Sequence, residues 1–313
     1  MDSQQINYEQ NFFVVEGSFV KDAEEIAIFC GVKKNAKKQF KRNKVSYKKL
    51  AEHVGKFPLV LISPYDSNII LDGSEDRRKF LDGVLSQVDY NYLENLMAYN
   101  KVLKNRNALL KNKNPDKDVL QIFDEQLVEL GKLIFKRRTS FMEEFLPVFS
   151  EVYKVLSAEN EEVSLEYSSQ LIESDFASLL SKSLQKDLIL ERTTVGVHKD
   201  DLLFTIAEHP LKKFASQGQQ KTYLHALKLA EFQYLKKHCN KTPLLLLDDV
   251  FDKLDNHRVS ALMKLVSGEE FGQIFVTDTD RKKLTEVFKS IDEKMKLFEV
   301  EQGEVKEVIN EKR

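Results

Sequence analysis

The sequence predicts an α/β fold, and three observations lead to that prediction. The apolar run "LLLLDD" at residues 244–249 ends on two acids, as expected of a strand that helices cover on both faces. Helical and strand patterns alternate around it through the last third of the chain. From about Tyr90 to Leu156, apolar residues recur at helical spacing instead. We therefore expect a sheet with helices and an inserted helical lobe.

The composition of the 313 residues is that of a packed globular protein. Charged residues make up 31% and apolar residues 42%, and no apolar run is long enough to cross a bilayer. The first residues lack the features of a secretory leader, and Cys30 and Cys239 lack metal-ligand spacing. We expect a soluble, cytoplasmic protein with no membrane contact. The net charge of -2 averages over local blocks that differ strongly in sign.

Short β patterns occupy the first part of the chain. The segments "FFVVEGSFV", "EEIAIFCGV", "QFKRN" and "PLVLI" have the length and composition of strands, and a short helix is expected near Tyr47 to His53. The apolar spacing becomes helical near residue 86. We assign residues 1–85 to the strand-rich part of a first lobe.

Residues 86–160 form the predicted helical lobe, and the break "KNKNPDKD" is the expected tip of a helical hairpin. Residues 161–313 return to α/β texture. The elements predicted there are a strand near Val163–Tyr167, a helix near Phe176–Leu190, the strand "DLLFTIA", a helix from about Gly218 to Lys237, the leucine strand, a helix from about Asn256 to Val266, and the strand "QIFVT".

The residues alone allow two interpretations of Asp248 and Asp249. Acids suit the amino end of a helix dipole, so they can simply open the helix that follows the strand. Alternatively the strand is a Walker B strand, in which Asp248 holds Mg²⁺ through water and Asp249 orients or deprotonates the attacking water.

The stretch "ASQGQQKTYLHALKLAEF" also allows two interpretations. Its apolar spacing starts a helix near Gly218 and places Ser216 at the amino end. A serine hydroxyl, a close-approaching glycine and free helix N–H groups make an anion site. An ordinary serine cap has the same sequence.

Several motifs in order resemble those of the RecF family of bacterial DNA repair proteins, of the kind found in Bacteroidetes. They are "FPLVLISPYDSNIILDGSEDRRKFLD", "GVHKDDL", "SQGQQKTYLHALKLAEF", "LLLLDDVFDKLDNHR" and "GQIFVTDTD". The resemblance runs from about Asp2 to about Phe298, and it implies an ABC-type ATPase head. Tyr65 stands where the family usually has an acidic residue. In "GSEDRRKF" we also expect a helix start, with Ser74 as cap and Glu75 in the first turn.

The resemblance implies ATP and Mg²⁺ sandwiched in an ATP-dependent homodimer. Asp248 and Asp249 would handle metal and water in cis. The remaining implied residues are Ser216, Gln217, Gly218 and Gln219 for nucleotide contact in trans, Asp255 in the D-loop, and Thr277 and Asp278 at the switch strand.

For function, the resemblance implies a DNA-binding ATPase of recombinational repair, replication and the SOS response to DNA damage. Such proteins bind gapped or junction DNA, single-stranded and duplex, and work with RecO and RecR to load recombinase.

The chain contains no G-x-x-x-x-G-K-[S/T] string, the Walker A loop that cradles nucleotide phosphates. The resemblance begins after the place of that loop, so we expect Met1 to be an internal start and ATP binding to be weak. A non-hydrolysing DNA-binding or scaffold protein is therefore an alternative. A second alternative is a head of the SMC type, against which the short helical lobe counts.

The block "KKNAKKQFKRNKVSYKK" carries cations without an acid among them. It fits phosphate neutralisation on DNA, or a solvated hairpin edge that lysines protect. The candidate DNA contacts are Lys33, Lys34, Lys37, Lys38, Lys41 and Arg42.

Two further features receive simpler predictions. Lys136, Arg137 and Arg138 are expected on a solvated face of the helical lobe. His198 has no second histidine or cysteine at metal spacing, so we expect it to have a structural or switch role. Mg²⁺ at Asp248 is the one metal site predicted.

Overall fold

The structure is a computed structural model that describes residues 2–21, 23–157, 161–249, 256–280 and 296–309. The chain divides into two compact units, residues 1–57 and 58–313. Each unit has its own sheet and its own buried residues.

The first unit is a four-stranded antiparallel sheet in the order β1-β2-β3-β4. Its strands are β1 Phe12–Lys21, β2 Glu24–Lys33, β3 Gln39–Arg42 and β4 Val45–Ser46. Asn43 and Lys44 form the turn between β3 and β4 at φ values of 48° and 68°. Two successive positive φ values match the twist of a tight hairpin, and asparagine tolerates them well.

Alternating side chains of β2 build the core of this unit. Ile26, Ile28 and Val32 are buried on one side of the strand, as its period of two requires. Rings pack near the end of the unit, where Phe40 and His53 have centroids 4.6 Å apart. The pKa of His53 is lowered, mainly by burial and to a smaller extent by the positive charge of Arg42.

The second unit contains the remaining elements. They are β5 Leu59–Ile62, α1 Asn68–Leu71, α2 Ser74–Val88, α3 Tyr90–Leu110, α4 Lys117–Ser157, β6 Val163–Ser168, α5 Phe176–Leu190, β7 Asp201–Ile206, β8 His209–Pro210, α6 Leu211–Phe214, α7 Gln217–Cys239, β9 Leu244–Asp248, α8 Asn256–Val266, β10 Ile274–Thr277, β11 Leu297–Glu301 and β12 Glu304–Ile309.

The predicted helical hairpin is present, with α3 and α4 separated by residues 111–116. Helix α4 packs along α7 through aromatic rings. Phe141 meets Tyr234 edge-on at 4.8 Å, and Phe149 meets Tyr223 at the same distance. Aromatic pairs in such geometry add to the stabilisation from burial. The helical hairpin therefore fixes α7 along much of its length.

A parallel sheet in the order β10-β9-β5 lies at the centre of the site described below. We expected the leucine strand to be buried on both faces, and this was wrong. Leu245 and Leu247 are buried, whereas their neighbours on the other face are only partly covered. On the adjacent strands, Leu61 is 42% exposed and Phe275 is 49% exposed. Side chains alternate between faces, and the described residues cover one face better than the other.

Helix α2 begins one residue earlier than expected, because Ser74 was predicted to be its cap. The N-cap is Gly73 and makes no side-chain bond, so Ser74 is the first helical residue and not the cap. Glu75 lies in the first turn as expected, together with Asp76, and acids there suit the helix dipole.

The prediction of a solvated cluster at residues 136–138 was wrong for Arg138. Its side chain is fully buried and donates to Asp200 at 2.6 Å, to Asp82 at 2.8 Å and to the Val197 carbonyl oxygen at 2.7 Å. Arg137 is partly buried, and Lys136 is exposed as predicted. A buried guanidinium is tolerated because carboxylates and a carbonyl oxygen satisfy it.

The ring of Phe176 lies between two glycines of different elements. A Cβ added to Gly131 of α4 would lie 2.5 Å from that ring, and one added to Gly196 would lie 2.4 Å from it. Gly196 also has a φ of 115°, which other residues rarely adopt. Both glycines are therefore required by contact with one side chain.

Candidate functional site

The carboxyl ends of three parallel strands form one edge of the sheet. Strand β5 leads to Ser63–Asp66, β9 ends at Asp248 and Asp249, and β10 ends at Thr277 and Asp278. The register pairs Thr277 with Asp248 and Ile62 with Leu247. The two aspartates therefore stand at the middle strand, at the edge where open α/β sheets bind ligands.

Asp248 and Thr277 are joined directly. The Thr277 hydroxyl donates to an Asp248 carboxylate oxygen, and the Asp249 amide donates to the Thr277 carbonyl at 3.0 Å. Asp248 is exposed, and Asp249 is partly buried with a left-handed φ of 50°. Asp278 is partly buried and accepts from the Asp280 amide at 2.7 Å. The predicted Walker B and switch residues are thus brought together.

The arrangement suits a cation that keeps other ligands. Mg²⁺ is usually bound by one or two carboxylates together with water and substrate phosphates. An exposed carboxylate beside a threonine hydroxyl provides such a partial site. Among the described residues, no group of three His, Cys, Asp or Glu side chains could hold a metal unaided.

Asp66 is engaged locally at the end of β5. Its carboxylate accepts from the Ser63 amide at 2.7 Å and caps the short turn Pro64–Ser67. Tyr65, the position that departs from the family pattern, is 82% exposed. Its ring therefore faces solvent beside the carboxyl edge of β5.

Ser216 is the N-cap of α7, as the simpler interpretation predicted. Its Oγ accepts from the Gln219 amide at 3.2 Å, and the Gln219 side chain accepts from the Ser216 amide at 2.8 Å. This capping box does not exclude an anion contact, because a serine hydroxyl that accepts can still donate its proton. Ser216 and Gln217 are exposed, whereas Gly218 and Gln219 are partly buried.

Glu161 contacts Gln219 of the signature stretch, and no sequence pattern marks it. Gln219 donates to its Oε1 at 3.1 Å, Arg258 of α8 donates to the same oxygen at 3.1 Å, and Tyr153 of α4 donates to Oε2 at 2.5 Å. Its partners lie 8 to 97 positions away in sequence. The predicted D-loop residue Asp255 lies outside the described residues.

The basic block belongs to the first unit and is split between two settings. Lys33, Lys34, Lys37 and Lys38 are exposed at the end of β2 and in the following turn. Lys41 is partly buried and stands 5.0 Å from the centre of the Phe29 ring. Neighbouring residues of a strand point to opposite faces, so Lys41 and Arg42 of β3 do not share a face.

His198 has the structural environment that its lack of metal partners predicted. Its ring nitrogens lie 2.9 Å from the Tyr99 hydroxyl and 3.1 Å from the Thr193 carbonyl oxygen. Burial lowers the pKa of His198 to about 4. The ring is therefore neutral near pH 7 and holds the loop before Asp200 against α3.

Comparison with known proteins places the chain among DNA repair proteins, although no family model matches it. RecF of Phocaeicola vulgatus, a DNA replication and repair protein, is 46% identical over 310 residues, 98% of this chain and 84% of the relative. The chain belongs to the RecF family. RecF of Flavobacterium johnsoniae is also 46% identical, over 94% of this chain and 83% of its own length.

Solved structures give the same family and fold. A RecF-ATP structure of the RecFOR pathway is 33% identical with a TM-score of 0.84, over 98% of this chain and 83% of that one. An SMC head from Pyrococcus furiosus is 15% identical with a TM-score of 0.51, over 96% and 77% of the two chains, and supports the fold alone. The predicted RecF family and ABC-type head fold are confirmed. No helix among the described residues is long and apolar enough to cross a membrane.

Proposed function

We propose that this RecF-family chain supplies the Walker B and signature parts of an ATP-dependent, DNA-binding dimer. The observation that carries this proposal is the carboxyl edge of the sheet, where Asp248, Asp249 and Thr277 stand together. In this proposal Asp248 holds Mg²⁺ through water, which offsets charge on the phosphates, and Asp249 orients or deprotonates the attacking water.

The signature residues act in trans in this proposal. Ser216 and Gln217 are exposed at the start of a 23-residue helix, where free N–H groups and the helix dipole favour an anion. They would meet the γ-phosphate of a nucleotide held mainly by a second subunit. Ser216 can donate its hydroxyl proton without giving up its bond from Gln219.

The nucleic acid is gapped or junction DNA, and the partners are RecO and RecR, with recombinase loading during repair and the SOS response as the outcome. The similar RecF-ATP structure is that of a recombination mediator protein of the RecFOR pathway. The exposed lysines of the first unit suit the DNA backbone, because lysines neutralise phosphates without reading sequence.

The DNA part is tested by reversing exposed lysines and measuring fluorescence anisotropy with gapped DNA. Lys33, Lys37 and Lys38 are changed to glutamate together, which leaves the contact of Lys41 with the Phe29 ring intact. We expect the affinity to fall by roughly tenfold or more for every DNA sequence. The slope of log affinity against log salt concentration should also become less steep, as expected for the loss of up to about three phosphate contacts.

The matched control reverses Lys101, Lys104 and Lys182, which are exposed lysines of α3 and α5. It carries the same change in net charge at another place. An equal loss of affinity in the two triple variants would mean that net charge, and not the basic hairpin, governs binding.

A non-hydrolysing DNA-binding protein is the second candidate, favoured by the lack of a Walker A string in the 313 residues. Calorimetry of this chain with Mg-ATP separates the two. We expect no tight binding by the chain alone, since the Walker A loop supplies most phosphate contacts. Micromolar binding would place a complete nucleotide site within these residues.

A further inference from the structure

Glu161 is a point where three elements of the second unit meet. Both carboxylate oxygens are used, one by Gln219 of α7 and Arg258 of α8, the other by Tyr153 of α4. The side chain is 14% exposed and that of Arg258 is 18% exposed. Ion pairs shielded to this degree are screened less by salt than exposed ones. The contact therefore joins the three helices firmly.

Arg258 reaches the signature loop by a second path. Its Nη1 donates to the Thr222 hydroxyl at 2.7 Å, and that hydroxyl donates to the Gly218 carbonyl oxygen at 2.9 Å. A Cβ added at Gly218 would lie only 3.2 Å from the same nitrogen. The guanidinium thus supports the first turn of α7 from the side of α8.

Helix α8 follows the Walker B strand and the predicted D-loop residue along the chain. Arg258 follows Asp255, the predicted D-loop residue, by three positions, and β9 with the acidic pair precedes both. Gln219, the other donor to the same oxygen, completes the capping box of Ser216. One carboxylate oxygen therefore links the cap of the signature helix to the helix that follows the Walker B strand.

We propose that Glu161 is a positioning residue that couples the signature loop to α8. It holds Gln219 and Arg258 at one oxygen, so that Ser216 and α8 keep one relative position. The inference rests on the proposed function in one respect, the contact of Ser216 with nucleotide in trans.

A carboxylate is required at this position. Glutamate accepts the three hydrogen bonds and neutralises Arg258. In Glu161→Gln the amide offers one accepting oxygen and an NH₂ group that faces donors. The variant keeps the size of the side chain, and it loses the charge and at least one bond.

The test is rescue in trans, with the chain used as it is. The host is Phocaeicola vulgatus RecF in which the residue aligned with Ser216 is replaced by arginine, which blocks the sandwich between its own copies. In a mixed dimer, the host supplies the phosphate-binding loop and this chain supplies the signature. We expect added chain to restore ATP hydrolysis. We expect Glu161→Gln to restore it about tenfold less at saturation, although the variant remains folded at the assay temperature.

Glu162→Gln is the matched control, because this neighbouring glutamate is exposed and should rescue fully. Equal rescue by Glu161→Gln and the unaltered chain overturns the coupling role. Lack of rescue by the unaltered chain instead counts against the contact in trans of the proposed function.

A second measurement tests Glu161 whatever the rescue shows. Hydrogen exchange in the chain alone follows the amides of Gln219 and Gln220, which bond to Ser216. We expect Glu161→Gln to speed their exchange about tenfold while the amides of α5 keep their rates. Unchanged exchange at both amides overturns the inference.

Discussion

Two pairs of adjacent aspartates in this chain have opposite environments. Asp200 is buried, accepts from Arg138 at 2.6 Å and from Tyr167 at 2.5 Å, and its neighbour Asp201 pairs with Arg77 through both carboxylate oxygens. Asp248 is exposed at a sheet edge, where its described partner is a threonine hydroxyl. The first pair joins α2 and α4 to the start of β7, and the second presents carboxylate to solvent.

Both pairs have the same sequence, two adjacent aspartates. The number of bonded partners distinguishes the structural pair at 200–201 from the candidate reactive pair at 248–249. Arg138 lies 62 positions before Asp200, and Arg77 lies 124 positions before Asp201. Buried charges persist only when they are paired, whereas a metal ligand must keep free coordination capacity.

The largest expected effect comes from removing the partner of the buried pair. Arg138→Met leaves the Asp200 carboxylate buried beside an apolar side chain, which should lower the free energy of unfolding by about 3–5 kcal/mol in urea titration. Burial already raises the pKa of Asp200. The loss should therefore shrink as the pH falls and the carboxyl group takes up a proton.

The control for that experiment is the open pair. Asp248→Asn removes an exposed charge and should change the free energy of unfolding by less than about 0.5 kcal/mol. Comparable losses in the two variants would erase the distinction between the pairs.

A smaller effect is expected from His198, which holds the loop of the buried pair. Its pKa is lowered to about 4, so between pH 6.5 and 4 the unfolded chain binds a proton that the folded chain does not. Stability is therefore full above pH 6.5 and falls as the pH decreases, by about 2 kcal/mol at pH 5.

The change His198→Gln should remove this part of the pH dependence. His225, whose pKa is likewise lowered to about 4 by burial, should keep its own part. The exposed His209 provides the control for the substitution itself, because His209→Gln makes the same change of side chain without altering a buried ring. A profile equally steep in His198→Gln would contradict the assignment.

The smallest expected changes in stability come from replacing the second aspartate of each pair with asparagine, and they differ in sign. Asp201→Asn weakens a partly exposed ion pair and should cost about 1 kcal/mol. Asp249→Asn should be neutral or stabilising by about 0.5 kcal/mol, because asparagine suits the left-handed φ of 50° and a charge beside Asp248 is removed. Equal destabilisation in thermal melts would make Asp249 a structural residue.

Much of the fold could be predicted because its signals are local. The bounds of α5 and α8 agree with the prediction, since apolar spacing marks them, and Asp175 supplies the N-cap of α5. The depth of burial could not be read in the same way. The exposure of Leu61 and the burial of Arg138 depend on which elements pack together, which no short stretch records.

The candidate site divides in the same manner. The meeting of Asp248 and Thr277 follows from two parallel strands ending at one edge, so the motif order predicts it. Glu161 stands in the acidic stretch "ENEE" without distinctive spacing. Its three donors come from α4, α7 and α8, and only their packing brings them to one carboxylate.

The ring of Phe176 between Gly131 and Gly196 bears on how this sequence can diverge. Either glycine replaced alone brings a methyl group within 2.5 Å of the ring, and Gly196 adds the strain of its φ of 115°. Gly131→Ala can therefore be accepted only after Phe176 has been replaced by a smaller residue. We expect positions 131 and 176 to covary across homologues, because their contact sets how α4 packs on α5.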